Sequence, residues 1–225
     1  MLPMRSRSCQ PAEHPWAGPC PARKECLVLS SGDMPRQVKS RHAALPGDFA
    51  IWIFIFAELA MFGVFFMVFA ITRTLDYRVF EASQRTLDRS LGAIDTAVLI
   101  TGSYAVVRAV YAIRRGVARA CTRWLAVAIG LGGTFLFLKM YEFHQDAIQG
   151  ITLSTNTFYM FYLSLTFLHV MHVLMAMIIL GVVAWKAHAG YYSAVDYAGV
   201  ETAASFWHMV DLIWIILFVL VYVLH

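Results

Sequence analysis

The chain has 225 residues, 60% of them hydrophobic and only 14% charged, with a mean hydropathy of +0.63. A soluble domain carries ~45–50% apolar and ~25% charged residues, and a globular core of this length cannot enclose the surplus. A soluble enzyme and a disordered chain are thereby excluded, and a multi-span membrane protein is the class that fits. The formal net charge is +4. Residues 1–45 hold Arg5, Arg7, Arg23, Lys24, Arg36, Lys39 and Arg41 against Glu13, Glu25 and Asp33, so this tail accounts for the whole excess.

The tail, 1–45, is rich in Pro, Ser and Arg and is expected to be disordered. A basic tail on a membrane protein is an orientation signal, so no nucleic-acid partner is expected. It lacks the apolar core of a secretory signal. Met34 is a candidate start, because the chain becomes regular just after it. Cys9, Cys20 and Cys26 lie in the tail without a C-x-x-C spacing, and Cys121 stands alone, so neither zinc nor a redox pair is expected.

Residues 46–225 read as a transmembrane domain. Five apolar runs are long enough to cross the ~30 Å hydrocarbon layer: about 49–71, 93–113, 124–144, 157–184 and 202–224. None alternates with period two, so the fold class is all-α, a five-helix transmembrane bundle. The stretch 72–92 is the longest loop. Loop charge predicts direction. Arg36, Lys39, Arg41, Arg114, Arg115, Arg119, Arg123 and Lys186 share one side, against Arg73, Arg78, Arg85 and Arg89 on the other. The N-terminus is therefore expected in the cytoplasm and the C-terminus outside. Trp52, Trp124, Tyr141, Trp185, Trp207 and Tyr222 are expected at the span ends. Ala57, Ala60 and Gly63, and Gly130, Gly132 and Gly133, are candidate helix contacts. Phe62, Phe65, Phe66, Met67 and Phe69 are expected on an outer surface, facing lipid or a partner.

The informative residues are the ionisable ones inside the spans. A charge at the bilayer centre costs about 2.5–3.5 kcal/mol on insertion scales, so such groups turn inward, pair or neutralise. At ~1.5 Å per helical residue, Glu58, His172, His208 and Asp211 fall in one layer of the tail-side half. Glu201, Ser205, His208 and Asp211 form one stripe, and Tyr162, Thr166, His169, His172 and Ala176 another. Glu58, His169, His172, His208 and Asp211 are thus expected to form a polar network. Lys139, Tyr141, Glu142 and His144 are expected to form an interfacial cluster near the opposite surface. Three readings of the network stand side by side. One is a structural seam and another is a proton-handling site on Glu58, His208 and Asp211. The third is metal or haem ligation through His172 and His208. The sequence carries no Glu-x-x-His metal pattern, phosphate loop or nucleophile motif.

These polar segments resemble a known family. Lys139-Met140-Tyr141-Glu142-Phe143-His144 is similar to the Tyr-Glu-Tyr/Phe motif of haem-copper oxidase subunit III. Phe167-Leu168-His169-Val170-Met171-His172-Val173 resembles its His-Gly-x-His-Val motif. Phe206-Trp207-His208-Met209-Val210-Asp211-Leu212-Ile213-Trp214 resembles its Trp-His-Phe-x-Asp-x-x-Trp signature. Phe56-Ala57-Glu58-Leu59 with Phe62 resembles its glutamate-bearing helix. Order and spacing agree over about 46–225, in the five-helix bacterial form of the family. Val170 stands where the family usually has Gly, and Ala57 where Ser is common. Within the family the chain is most similar to the branch associated with bacterial nitric oxide reductase. The marks are Leu45-Pro46-Gly47-Asp48, then Phe80, Ser83, Gln84 and Leu87, then Asp95-Thr96-Ala97-Val98-Leu99-Ile100-Thr101. The five-helix subunit of quinol oxidases is the next resemblance, through Tyr141-Glu142-Phe143-His144.

The resemblance implies a non-catalytic subunit or accessory protein in the bacterial inner membrane. Its partner would be a catalytic subunit that carries the haems and copper, and it would hold no redox cofactor of its own. It would bind phospholipid and support assembly, proton uptake and durable turnover. A small transporter with an intramembrane polar path is the alternative. Broken helices would favour that reading, and all seven prolines lie at or before Pro46.

Overall fold

A computed structural model of the chain describes residues 49–85, 87–192 and 196–223. The expected tail, the candidate start at Met34 and the segment 45–48 lie outside these residues. The elements are α1 (Phe49–Leu75), α2 (Tyr77–Gln84), α3 (Arg89–Arg114), α4 (Ala118–Ile148), α5 (Thr157–His188) and α6 (Ala198–Phe218). A π-helical turn, Val219–Val223, continues α6. Five of these helices are long and apolar enough to span a membrane. Helix is the form that lets an apolar stretch satisfy every backbone polar group within itself.

Three of the long helices stop through local chemistry. Gly116, Gly150 and Gly190 follow α3, α4 and α5 at φ of 77°, 74° and 79°, a region costly to any residue with a Cβ. After α3, the Gly116 amide donates to the Ile113 carbonyl and the Val117 amide to the Ala112 carbonyl, a Schellman closure. Asp88 and Asn156 cap the starts of α3 and α5, their side-chain oxygens accepting from the amides of Ser90 and Tyr159 at 2.9 Å.

Helices α3, α4, α5 and α6 form a closed ring in which each packs on the next and α6 returns to α3. Helix α1 lies outside this ring against α6 and α5. It is the least buried span and α6 the most buried. Trp207 of α6 enters a slot made by Gly102 of α3 and Gly132 of α4. A methyl group on Gly132 would stand 3.0 Å from both the Trp207 ring and Met177 Sδ, and one on Gly102 would stand 3.1 Å from the ring. These two glycines let three backbones close around one indole.

Several expectations change. The helices extend a few residues beyond the apolar runs, and the loop 72–92 contains α2. Eight residues are too short for a periodic signal, yet α2 buries Phe80, Ser83 and Gln84. Phe80 sits edge-on to Phe69 and Phe158. The Gln84 carboxamide donates to the Val221 carbonyl at 2.9 Å, inside the π turn, and Asn156 donates to Ser83 Oγ at 2.9 Å. Helix α2 thus ties the end of α6 to the start of α5. Phe62 and Phe69 are core residues, not outer-surface ones. Ala57, Ala60 and Gly63 face outward, and Gly63 has no neighbour within 4 Å of a Cβ position. Trp207 and Tyr222 are buried inside the bundle instead of marking its ends. On a helix this apolar, small and aromatic residues do not reveal which side faces a neighbour.

Gly132→Val should lower stability by about 1–3 kcal/mol, the usual cost of overpacking a filled site. Gly130→Ala, which meets nothing within 4 Å, should be neutral or gain about 0.5–1 kcal/mol from its helix interior. Reversible unfolding in mixed micelles checks the pair, and equal effects would rule out the slot.

Candidate functional site

Among the described residues the bundle contains three separate polar centres. The most buried joins all four ring helices. Lys139 and Glu142 lie three residues apart on one face of α4, and Asp95 lies on the second turn of α3. Lys139 is fully buried and Asp95 is 1% exposed. The Lys139 ammonium lies 2.8 Å from Asp95 Oδ2 and also binds Glu142 Oε2. Tyr162 of α5 and Tyr222 of the π turn each donate a hydroxyl to Glu142 Oε1 at 2.9 Å. The ammonium stands 4.7 Å from the centre of the Trp214 ring, whose Nε1 donates to Thr96 Oγ1 at 3.0 Å. Two carboxylates surround one ammonium, and the hydroxyls spread the charge of the second. Asp95 Oδ1 has no hydrogen-bond partner among the described residues.

The second centre joins α3 to α6. Ser103 Oγ donates to Asp211 Oδ2 at 2.6 Å. Trp207 Nε1 donates to the same Ser103 oxygen at 3.1 Å, and His208 Nδ1 lies 3.3 Å from it. At the outer end of this seam Arg114 pairs with Glu201 at 2.5 Å.

The third centre joins α1 to α5. His172 Nε2 lies 3.0 Å from Glu58 Oε2, and His172 Nδ1 lies 2.7 Å from the Leu168 carbonyl. A carbonyl only accepts, so Nδ1 carries a proton. The Nε2–Oε2 contact then needs a second proton, on the imidazole or on the carboxyl. The pair is built to hold one proton between an acid and a base. Phe62 stands edge-on to the His172 ring at 5.2 Å and shields it.

The expected single network of Glu58, His169, His172, His208 and Asp211 is therefore divided. Glu58 meets His172, while His208 and Asp211 meet Ser103 on another side of the bundle. His169 is fully buried between Trp214 and Phe135, with ring centres at 5.1 and 5.7 Å, and neither of its nitrogens has a hydrogen-bond partner among the described residues. His172 and His208, considered above as an axial pair, have different partners. Among the described residues no three His, Cys, Asp or Glu side chains gather to hold a metal. The expected interfacial cluster also divides: Tyr141 and His144 are exposed, whereas Lys139 and Glu142 are buried. Helix α4 runs on to Ile148, which sets Lys139 a turn deeper than an end at 144 implies. Ser103 and the binding roles of Asp95 and Tyr222 were missed. The available signals were a serine within an apolar run and an aspartate that a span would have to neutralise.

These features define a polytopic helical membrane protein organised around buried ion pairs. The sequence profile described as cytochrome c oxidase subunit III matches residues 43–225. Cytochrome c oxidase subunit 3 of Synechocystis is 32% identical over 178 residues, covering 78% of this chain and 75% of the relative. That of Thermostichus vulcanus is 30% identical over 187 residues, covering 81% and 91%. Cytochrome bo(3) ubiquinol oxidase subunit 3 of Buchnera aphidicola is 25% identical, covering 77% and 84%. The chain belongs to the cytochrome c oxidase subunit III family.

Lys139→Met leaves two buried carboxylates without their cation and should cost about 3–5 kcal/mol. The double change Asp95→Leu with Lys139→Met should cost less than Lys139→Met alone, because it removes one stranded charge together with its partner. Unfolding in mixed micelles compares them, and a single-mutant loss as small as that of the exposed Arg85→Met would contradict the ion-pair account.

Proposed function

We propose that this chain is a non-catalytic, multi-pass subunit or accessory protein of a respiratory haem-copper oxidase or nitric oxide reductase in the bacterial inner membrane. The observation that carries this reading is the family match across the whole transmembrane domain, 43–225, with relatives named as oxidase subunits. The nitric oxide reductase branch rests on the sequence marks Phe80, Ser83, Gln84 and Leu87 and the run 95–101. The charge of the loops supports a cytoplasmic N-terminus and an external C-terminus.

In this reading the chain docks side-on against the larger helical subunit that carries the haems. It supports assembly, and the Glu58–His172 pair, which joins the peripheral helix α1 to α5, contributes to proton uptake. An apolar surface cavity of about 440 Å³ between the end of α4 and the start of α5, lined by Phe143, Leu153, Leu163, Phe167 and Leu168, suits a phospholipid acyl chain.

Affinity purification of the tagged chain from native membranes should bring down a haem-bearing subunit, and the chain stripped of that partner should show no Soret band. Purification alone, with transport activity in vesicles, would replace this reading with the transporter one. Glu58→Gln should leave the haem content of the complex unchanged while shifting its pH profile or shortening its turnover lifetime. Unchanged assembly, pH profile and lifetime would remove Glu58 from any such role.

A further inference from the structure

A groove of about 370 Å³ lies between α3 and α6, lined by Val107, Val110, Tyr111 and Arg114 on one side and Glu201, Ala204, Ser205 and His208 on the other. Val107 and Tyr111 are about half exposed, so the groove opens on the outer surface of the bundle. Arg114 and Glu201 close its outer end as an ion pair. His208 lies seven residues further along α6, about 10 Å deeper at the helical rise.

The hydrogen bonds around Ser103 decide what His208 presents to this groove. Ser103 has one proton and gives it to the Asp211 carboxylate. Its oxygen then has only lone pairs to offer, and the Trp207 N–H takes one. His208 Nδ1 meets the same oxygen and must therefore carry a proton, which in a neutral imidazole is the only ring proton. Nε2 is left as a bare acceptor, and no described residue bonds to it. The Ser205 hydroxyl is already committed to the Glu201 carbonyl at 3.0 Å. The groove thus combines apolar walls, a mouth closed by an ion pair and an imidazole acceptor about two helical turns further in, with the hydroxyls of Tyr111 and Ser205 also in its lining.

That pattern does not suit an anionic headgroup. Its phosphate would find Arg114 already paired with Glu201 and would bring further acceptors toward an acceptor nitrogen. The complement is a neutral hydroxyl donor on an apolar body. We propose that the groove binds a membrane-soluble aromatic alcohol of the phenol or hydroquinone class, its hydroxyl donated to Nε2 of His208 and its ring laid against Val107, Val110 and Tyr111. A phenolic O–H is a stronger donor than an aliphatic one, and Tyr111 supplies an aromatic wall. This site is independent of the oxidase-subunit reading.

The test uses the full chain in nanodiscs of phosphatidylcholine, kept anaerobic and titrated with decyl-benzohydroquinone. Saturable binding is expected, with a shift of the His208 Nε2 resonance in ¹⁵N-histidine-labelled protein. The dimethyl ether, which lacks the donors, should bind about tenfold more weakly, a difference of about 1.4 kcal/mol. Decanol should also bind more weakly. Val107→Phe, which fills the groove from an exposed position, should abolish binding. His208→Leu should weaken binding about as much as capping the hydroxyls does. The proposal fails if no saturable binding occurs, if the ether or decanol binds equally well, or if neither substitution matters. It fails equally if added phosphatidylglycerol displaces the hydroquinone from the unmodified chain and itself binds in a manner abolished by Val107→Phe.

Discussion

An ammonium group within a membrane-spanning helix sets the strongest constraint on this bundle. Lipid offers Lys139 no solvent, so α4 must turn that face inward, and the groups that receive the charge must come from its neighbours. Asp95 comes from α3, Glu142 from α4 itself, the Tyr162 hydroxyl from α5, and Trp214 and Tyr222 from α6 and its π turn. Satisfying one cation thereby fixes the rotation of four helices. Between membrane helices, apolar surface supplies little preference for one face over another. A buried ion pair with defined hydrogen-bond geometry supplies that preference, even where its net contribution to stability is small.

The remaining structure serves the same end from other directions. Gly102 and Gly132 admit Trp207 between α3 and α4, which brings its Nε1 to Ser103 and assembles the Ser103–His208–Asp211 seam. Helix α2 bonds to the π turn through Gln84 and so holds Tyr222 over Glu142. Helix α1 differs from the rest. It sits outside the ring, and the Glu58–His172 pair ties it to α5, with Phe62 beside the imidazole.

The five spans and the family could be read from the amino-acid order because both are local properties. An apolar run of about twenty residues has no other stable form in lipid. Motifs such as Tyr141-Glu142-Phe143 and Trp207-His208 with Asp211 are written contiguously. That the spans carry ionisable residues was also legible, since each is costly at its depth whatever its surroundings. Their partners were not legible. Glu58 and His172 are separated by more than a hundred residues, as are Ser103 and Asp211, and depth along a helix says nothing about direction around it. Two groups at one level meet only if their helices are neighbours and rotated toward each other. That rotation is decided by the packing of Trp207 into its glycine slot and by the receptors gathered around Lys139. Only the assembled bundle could therefore separate one expected layer into two centres and move Lys139 and Glu142 from the membrane surface into the core.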